Sequence, residues 1–385
     1  MAMQTAAGRK GPPPCIESTD GGGHMSTGDE LEKIRARIDA IDRELLGLIS
    51  RRAELACQVA RVKTAQGEKF CYRPEREAQV LRSIIEQNPG PLSDEETARL
   101  FREIMSACLA LEQPLAVAYL GPEGTYTQSA ALKHFGHSVN TQPYAAIEEV
   151  FREVESGECH YGVVPVENSI EGVINHTLDS FMQSPLKICG EVELRIRHNL
   201  LSRAPSLGAV ERVYAHSQAL AQCRHWLDHT LPKAERIAVS SNAEAARRAT
   251  AELGATAAIA GDAAAELYGL TALASGIEDD PTNTTRFLVI GHQAAARSGD
   301  DKTTVLFSTP NKPGALHHVL GAFAEVGVSM TRIESRPSRR GMWDYLFFVD
   351  LEGHADDAGV ADALARLQDR AAMVKILGSY PRAVL

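Results

Sequence analysis

Residues 31–63 read LEKIRARIDAIDRELLGLISRRAELACQVARVK. Apolar positions recur there at alternating spacings of three and four: Leu31, Ile34, Ile38, Ile41, Leu45 and Leu48, resuming at Leu55, Val59 and Val62. That rhythm predicts one long helix with an apolar seam of the kind that packs on another helix. One beat of the seam is a cation, Arg52. A cation there is costly unless something anionic meets it. A registry device or a buried ion pair is the structural alternative to a ligand. Lys63 stands eleven residues on, which at ~100° per residue returns it to within ~20° of Arg52 and ~16 Å along the axis. Two long cations so placed can hold an elongated dianion from both ends. Arg35 precedes Arg52 by seventeen residues, ~25 Å away and turned by ~100°. It cannot reach the same small ligand within one chain, but it could reach a partner chain's site if two such helices run antiparallel.

A second helix is expected to begin near Pro74, where proline suits a first turn, and to stop before Asn88-Pro89-Gly90-Pro91. A third begins at Ser93, with Glu96 three residues on as a capping box, and ends before Pro114. Residues 28–113 therefore read as an all-α three-helix unit. From Leu115 short apolar strands alternate with helical stretches: 115–120, 161–166, 187–193, 236–239, 256–260 and 286–290. Such alternation predicts an α/β domain with a mostly parallel sheet. At residues 115–293 it is long enough for two lobes with a cleft between them. After a polar small-residue linker, Ala294–Asp301, the order over 302–381 is βαββαβ, an α+β ferredoxin-like pattern.

The chain has 385 residues, 44% hydrophobic and 23% charged, with a net charge of -10. An acidic balance argues against nucleic acid as main partner and leaves small anions open, since a site can be locally positive. No apolar run approaches the ~20 residues of a membrane span, and the N-terminus lacks a signal-peptide layout. Residues 1–27, rich in Gly, Pro, Ser and Thr, are expected to be a disordered extension, with Met25 a candidate start. Seven scattered cysteines without a CxxC pair suit reduced cytoplasmic thiols. Cys223, His225 and His229 mimic a metal cluster, but with no fourth ligand they read as a helix surface beside Trp226.

Three segments stand out in the central domain. Gly121-Pro122-Glu123-Gly124-Thr125 follows the first strand, a common place for ligand contact, yet it fits no nucleotide-loop spacing. Glu167-Asn168-Ser169 ends a buried strand; a simple turn would also favour Asn and Ser. Thr282-Asn283-Thr284-Thr285-Arg286-Phe287 leads into the last strand, where β-branched residues also serve sheet propensity. In the C-terminal domain Asn311-Lys312-Pro313-Gly314-Ala315-Leu316 joins the first strand to the first helix, where backbone amides can hold a carboxylate. Glu334-Ser335-Arg336-Pro337 closes the second strand.

These residues carry three resemblances. Residues 31–63, with Arg35, Arg52 and Lys63, resemble the first helix of the all-helical chorismate mutases. Arg76-Glu77 is similar to their second-helix pair, and Leu100–Gln113 to their third helix, with Cys108 and Glu112 where many members carry a hydroxyl residue and Gln. The central segments resemble prephenate dehydratase, with His216 and Gln222 matching a third, weaker region. The C-terminal segments resemble the ACT regulatory domain of phenylalanine-sensitive dehydratases, with His317 where valine is usual. The resemblance implies an intertwined dimer in which Arg35 serves the other subunit, and arginine forks on two carboxylates. Lys63 and Glu112 would face the ether oxygen of chorismate, where negative charge grows, and Glu77 the ring hydroxyl. It further implies loss of CO2 and hydroxide from prephenate, with Thr285 at the leaving hydroxyl and Glu167 a second candidate acid. Asn168, Ser169 and Gln222 would orient carboxylates, with Arg286 and Phe287 in the same substrate segment. Phenylalanine is the implied effector, and no metal or organic cofactor is called for. Dehydration of arogenate is an alternative, as is a non-catalytic binding or amino-acid-sensing protein.

Overall fold

The computed structural model describes residues 27–67, 72–252, 254–309, 312–337 and 345–384. Residues 1–26 and Asn311 lie outside these.

The first helix, α1 (Thr27–Ala65), runs unbroken as the heptad rhythm predicts, followed by α2 (Pro74–Glu86) and α3 (Asp94–Glu112). Pro74 opens α2. Ser93 Oγ accepts from Glu96 N–H at 3.2 Å, while the Glu96 carboxylate turns forward to Arg99 at 2.6 Å, so the expected capping box closes on one side. The α1 seam, from Leu31 to Val62, is 47–59% exposed at each apolar position named above.

Two lobes follow. The first holds β1 (Ala116–Leu120), β2 (Asn140–Tyr144), β3 (Tyr161–Asn168), β4 (Gly172–Val173), β5 (Lys187–Arg195) and β11 (Thr284–Gly291), with helices α4 (Tyr126–Phe135), α5 (Ile147–Ser156) and α6 (Asn175–Gln183). Its strand order is β2-β1-β3-β11-β5, with β4 beside β3. The second holds β6 (Asn199–Ser202), β7 (Arg212–His216), β8 (Glu235–Val239), β9 (Thr256–Ala260) and β10 (Thr271–Ser275), with α7 (Ser217–Gln222), α8 (Arg224–Thr230), α9 (Asn242–Ala251) and α10 (Asp262–Tyr268). Its order is β10-β6-β9-β7-β8.

These sheets are mixed, not mostly parallel. β1 is parallel to β2 and β3, and β7 to β8 and β9. But the chain returns from the second lobe as β11, which enters between β3 and β5 antiparallel to both. Cys223, one of the metal-mimicking residues, is buried in the second lobe's apolar core.

The last unit, β12 (Asp301–Ser308), α11 (Ala315–Ala324), β13 (Met330–Pro337), β14 (Tyr345–Glu352), α12 (Ala358–Arg370) and β15 (Met373–Pro381), is an antiparallel sheet of order β13-β14-β12-β15. It docks tightly on the first lobe. Val164, Leu288 and Ile290 share one core with Leu306, Phe348 and Tyr380. A Cβ at Gly378 would collide with the Ile188 carbonyl oxygen. With ~1.5–3 kcal/mol for each large apolar side chain fully buried, this interface holds the last sheet to the lobe. No helix among the described residues is long and apolar enough to cross a membrane.

Candidate active sites

Arg52 and Lys63 face one cavity of about 360 Å³, closed by Arg76 and Glu77 of α2 and by Cys108 and Glu112 of α3. Leu55, Val59 and Val80 supply apolar wall. Arg35 lies on the exposed first half of α1, away from this lining. The Glu77 carboxylate sits 3.7 Å from Arg102; burial outweighs that attraction and pushes its pKa up to about 7. Burial also raises the pKa of Glu112, against Lys63 and Arg52, which lower it. The Glu112 Oε2 is buried with no hydrogen-bond partner among the described residues. Tyr72, Arg73 and Met105 line the same cavity and carry no spacing signal in the sequence. Cations at both ends of an apolar slot, with a carboxyl biased toward its protonated form, suit an elongated dianion whose charge moves inward.

The second cluster sits where the two lobes meet. The register pairs Thr285 with Asn168 and Arg286 with Glu167, so strand alternation sends these two pairs to opposite faces of the sheet. On the cleft face Asn168 Nδ2 donates to Thr285 Oγ1 and to Asn283 Oδ1, both at 2.8 Å. Asn168 Oδ1 accepts from Ile170 N–H and Glu171 N–H at 3.0 Å each. Ser169 fastens the two segments: its N–H donates to Thr284 O at 2.9 Å and its Oγ accepts from Thr284 N–H at 3.0 Å. Gln222, at the end of α7, reaches across from the second lobe; its Oε1 lies 3.1 Å from Asn283 Nδ2 and 2.9 Å from His198 Nε2. His198 Nδ1 faces the Tyr126 hydroxyl at 3.1 Å. The loop after β1 thus joins the cluster through Tyr126, one residue past the Gly121–Thr125 segment. His216 caps α7, its Nδ1 accepting from Gln218 N–H at 3.4 Å, six residues before Gln222.

On the opposite face the expected residues do other work. Glu167 pairs with Arg332 of β13 at 2.8 Å. Arg286 bonds Glu191 at 2.9 Å, Asp350 at 2.5 Å and the Tyr380 hydroxyl at 2.9 Å, and Lys302 adds a further bond to Glu191 at 3.0 Å. These tie the lobe to the last sheet. Phe287, two residues past Thr285 and back on its face, is buried in the core beneath β1 and β3. Arg286 is therefore placed in the domain junction, away from the Asn168–Thr285 cluster, and Phe287 in the core. Asn283, His198 and Tyr126 were not singled out from sequence for this cluster. Only Asn283 carried a hint, standing inside the Thr282–Phe287 segment.

In the C-terminal unit Gly314 takes φ +77 just before α11, where Ala315 and Leu316 form the first turn. Only that left-handed geometry requires glycine here. Glu334 and Ser335 lie on the edge strand β13. Arg336 of the same strand reaches Asp179 of α6 at 2.5 Å.

A helical pocket, a two-lobed α/β cleft and a ferredoxin-like sheet docked on it define a multidomain metabolic enzyme with an attached regulatory fold. Known families match in the same order: chorismate mutase type II over residues 34–113, prephenate dehydratase over 117–295 and the ACT domain over 303–369. The bifunctional chorismate mutase/prephenate dehydratase of Stutzerimonas stutzeri is 58% identical over 366 residues, 94% of this chain and 100% of that protein. Its counterpart in Pseudomonas aeruginosa is 57% identical over the same shares. The crystal structure of prephenate dehydratase in complex with L-Phe from Arthrobacter aurescens is 38% identical, with a TM-score of 0.65, covering 70% of this chain and 90% of its own. The chain belongs to the bifunctional chorismate mutase/prephenate dehydratase family and carries both enzyme domains with an ACT domain after them.

Proposed function

We propose that chorismate is rearranged in the cavity of residues 28–113 and prephenate is decarboxylated and dehydrated at the Asn168–Thr285 cluster of residues 115–293. Phenylalanine inhibits through residues 302–381, at the segments that hold Gly314, Ala315 and Leu316 and Glu334, Ser335 and Arg336. The enzyme is a cytoplasmic homodimer or larger homo-oligomer. In the mutase pocket Arg52 and Arg76 take carboxylates, with Arg35 supplied by the second copy. Lys63 and Glu112 face the ether oxygen, Glu112 donating only in its protonated form, and Glu77 holds the ring hydroxyl. The exposed α1 seam supports the dimer, because a second copy would cover it.

One observation carries the dehydratase assignment. Two backbone N–H groups occupy Asn168 Oδ1, so the amide nitrogen must turn to Thr285 and make its hydroxyl oxygen an acceptor. The single Thr285 hydrogen is then left to donate to the leaving hydroxyl of prephenate. Glu167, ion-paired to Arg332 on the far face, is the weaker candidate acid. Incubating the protein with chorismate and following phenylpyruvate tests the whole reading. Product from arogenate but none from prephenate would replace the assigned substrate.

A further inference from the structure

The hydrogen bonds that begin at Asn168 continue into the second lobe, and their direction is dictated from one end. Asn168 Nδ2 is a donor because its oxygen is taken by Ile170 and Glu171. Asn283 must therefore present Oδ1 to it, at 2.8 Å. That turns Asn283 Nδ2 toward Gln222, whose Oε1 accepts at 3.1 Å. With Gln222 presenting oxygen, His198 Nε2, 2.9 Å away, must carry the ring hydrogen. A neutral ring protonated at Nε2 leaves Nδ1 bare at 3.1 Å from the Tyr126 hydroxyl, whose single hydrogen goes first to the Arg197 carbonyl oxygen at 2.6 Å and only in part to Nδ1. Burial holds His198 in the neutral form by lowering its pKa, against the Gln222 bond and Glu278, which raise it. Asn283 is wholly buried and His198 nearly so, so neither can trade these partners for water.

We propose that His198, as its Nε2–H tautomer, and Asn283 are positioning residues for dehydration. They fix the amide orientations of Gln222 and Asn168, and so the face of Thr285 that offers its proton. The chain crosses from the second lobe, where Gln222 sits, to the first, where Thr285 sits, so it also sets how the lobes register during turnover. The inference rests on Thr285 acting at the leaving hydroxyl.

The test uses the full chain, with mutase activity in the same samples as the measure of folding. Asn283→Ala and His198→Phe should lower dehydratase kcat on the order of 10²-fold, the scale for misplacing a reacting group, with KM changed less than about 3-fold. His198→Gln, which keeps a donor near Nε2, should recover most of that loss. Asn283→Asp should not, because its carboxylate cannot donate to Gln222. Equal losses in His198→Gln and His198→Phe would overturn the proposal. So would an unchanged kcat in Asn283→Ala alongside a dead Thr285→Ala, which leaves the Thr285 assignment standing. Dehydration surviving in Thr285→Ala would instead remove that assignment. If a variant loses mutase activity as well, the ring 15N shifts of His198 in the unsubstituted protein decide. Nε2–H is expected, and Nδ1–H contradicts the chain.

Discussion

Set side by side, the α1–α3 cavity and the Asn168–Thr285 cluster hold their polar groups under different constraints. In the helical cavity Glu112 keeps a buried oxygen without a partner among the described residues, Arg35 is out of reach, and the seam that leads to it lies open. In the cleft Asn168 spends both amide hydrogens and both acceptor sites within one chain. A site built on parallel helix faces can leave groups for a ligand and a second copy to satisfy. A site wedged between two lobes must satisfy its own groups, since an unpaired buried amide costs about 1–3 kcal/mol. The same contrast separates the proposed chemistries. A pericyclic step asks for a cage and charge, whereas dehydration as proposed asks for one hydroxyl with its proton aimed.

The largest expected effects come from taking one group out of each site. Arg52→Ala should lower mutase turnover by about 10³-fold and spare dehydration of added prephenate, while Thr285→Ala should lower dehydration by about 10²–10³-fold and spare the mutase. Separate assays with chorismate and with prephenate check both, and loss of the two activities together in a folded variant would mean that the two sites are not independent.

A smaller effect concerns the unpartnered carboxyl. Burial raises the Glu112 pKa over the opposing pull of Lys63 and Arg52, so the protonated, donating form persists to higher pH. Mutase activity should then fall by up to about 10-fold per pH unit above that pKa. Glu112→Gln, which donates at any pH, should flatten the limb. Glu77 also titrates in range, at about 7. If the limb survives in Glu112→Gln and vanishes in Glu77→Gln, the proton belongs to Glu77 instead. Superimposable curves for the Glu112→Gln and unsubstituted enzymes would mean Glu112 does not face the ether oxygen.

Much of the helical unit was legible because one period governs it. The heptad spacing located α1, and the angular return from Arg52 to Lys63 put both in one cavity. It also kept Arg35 out of it. Ser93 and Pro74 marked helix starts by local chemistry alone. In the α/β region the strand period is legible too, and it argues against grouping Arg286 and Glu167 with Thr285 and Asn168, since neighbours along a strand face opposite ways. Asn283, His198 and Tyr126 were out of reach for a different reason. They come from three separate crossings and loops, and their meeting depends on how two lobes pack, which no local spacing encodes. The parallel-sheet expectation failed for a related reason, since β11 returns from the other lobe in the opposite sense.

At the junction of lobe and sensor sheet the expected effect is smallest. Tyr380→Phe removes a hydroxyl that serves Arg286 and Thr304 and leaves the ion pairs to Asp350 and Glu191 in place. It should cost about 1 kcal/mol in thermal unfolding, with both basal activities unchanged. A loss of several kcal/mol would show the hydroxyl to be the keystone of the Arg286 network.

Mixing inactive chains measures the contrast between the sites directly. Arg35→Ala and Arg52→Ala chains, allowed to exchange subunits, form mixed dimers with one intact mutase site, so a random mixture should recover about one quarter of the unsubstituted mutase activity. Thr285→Ala mixed with Asn168→Ala should recover no dehydratase activity, because both residues act within one chain. Recovery in the first mixture and none in the second is the predicted result. No mutase recovery in a confirmed mixed dimer, or dehydratase recovery in the second mixture, would contradict it.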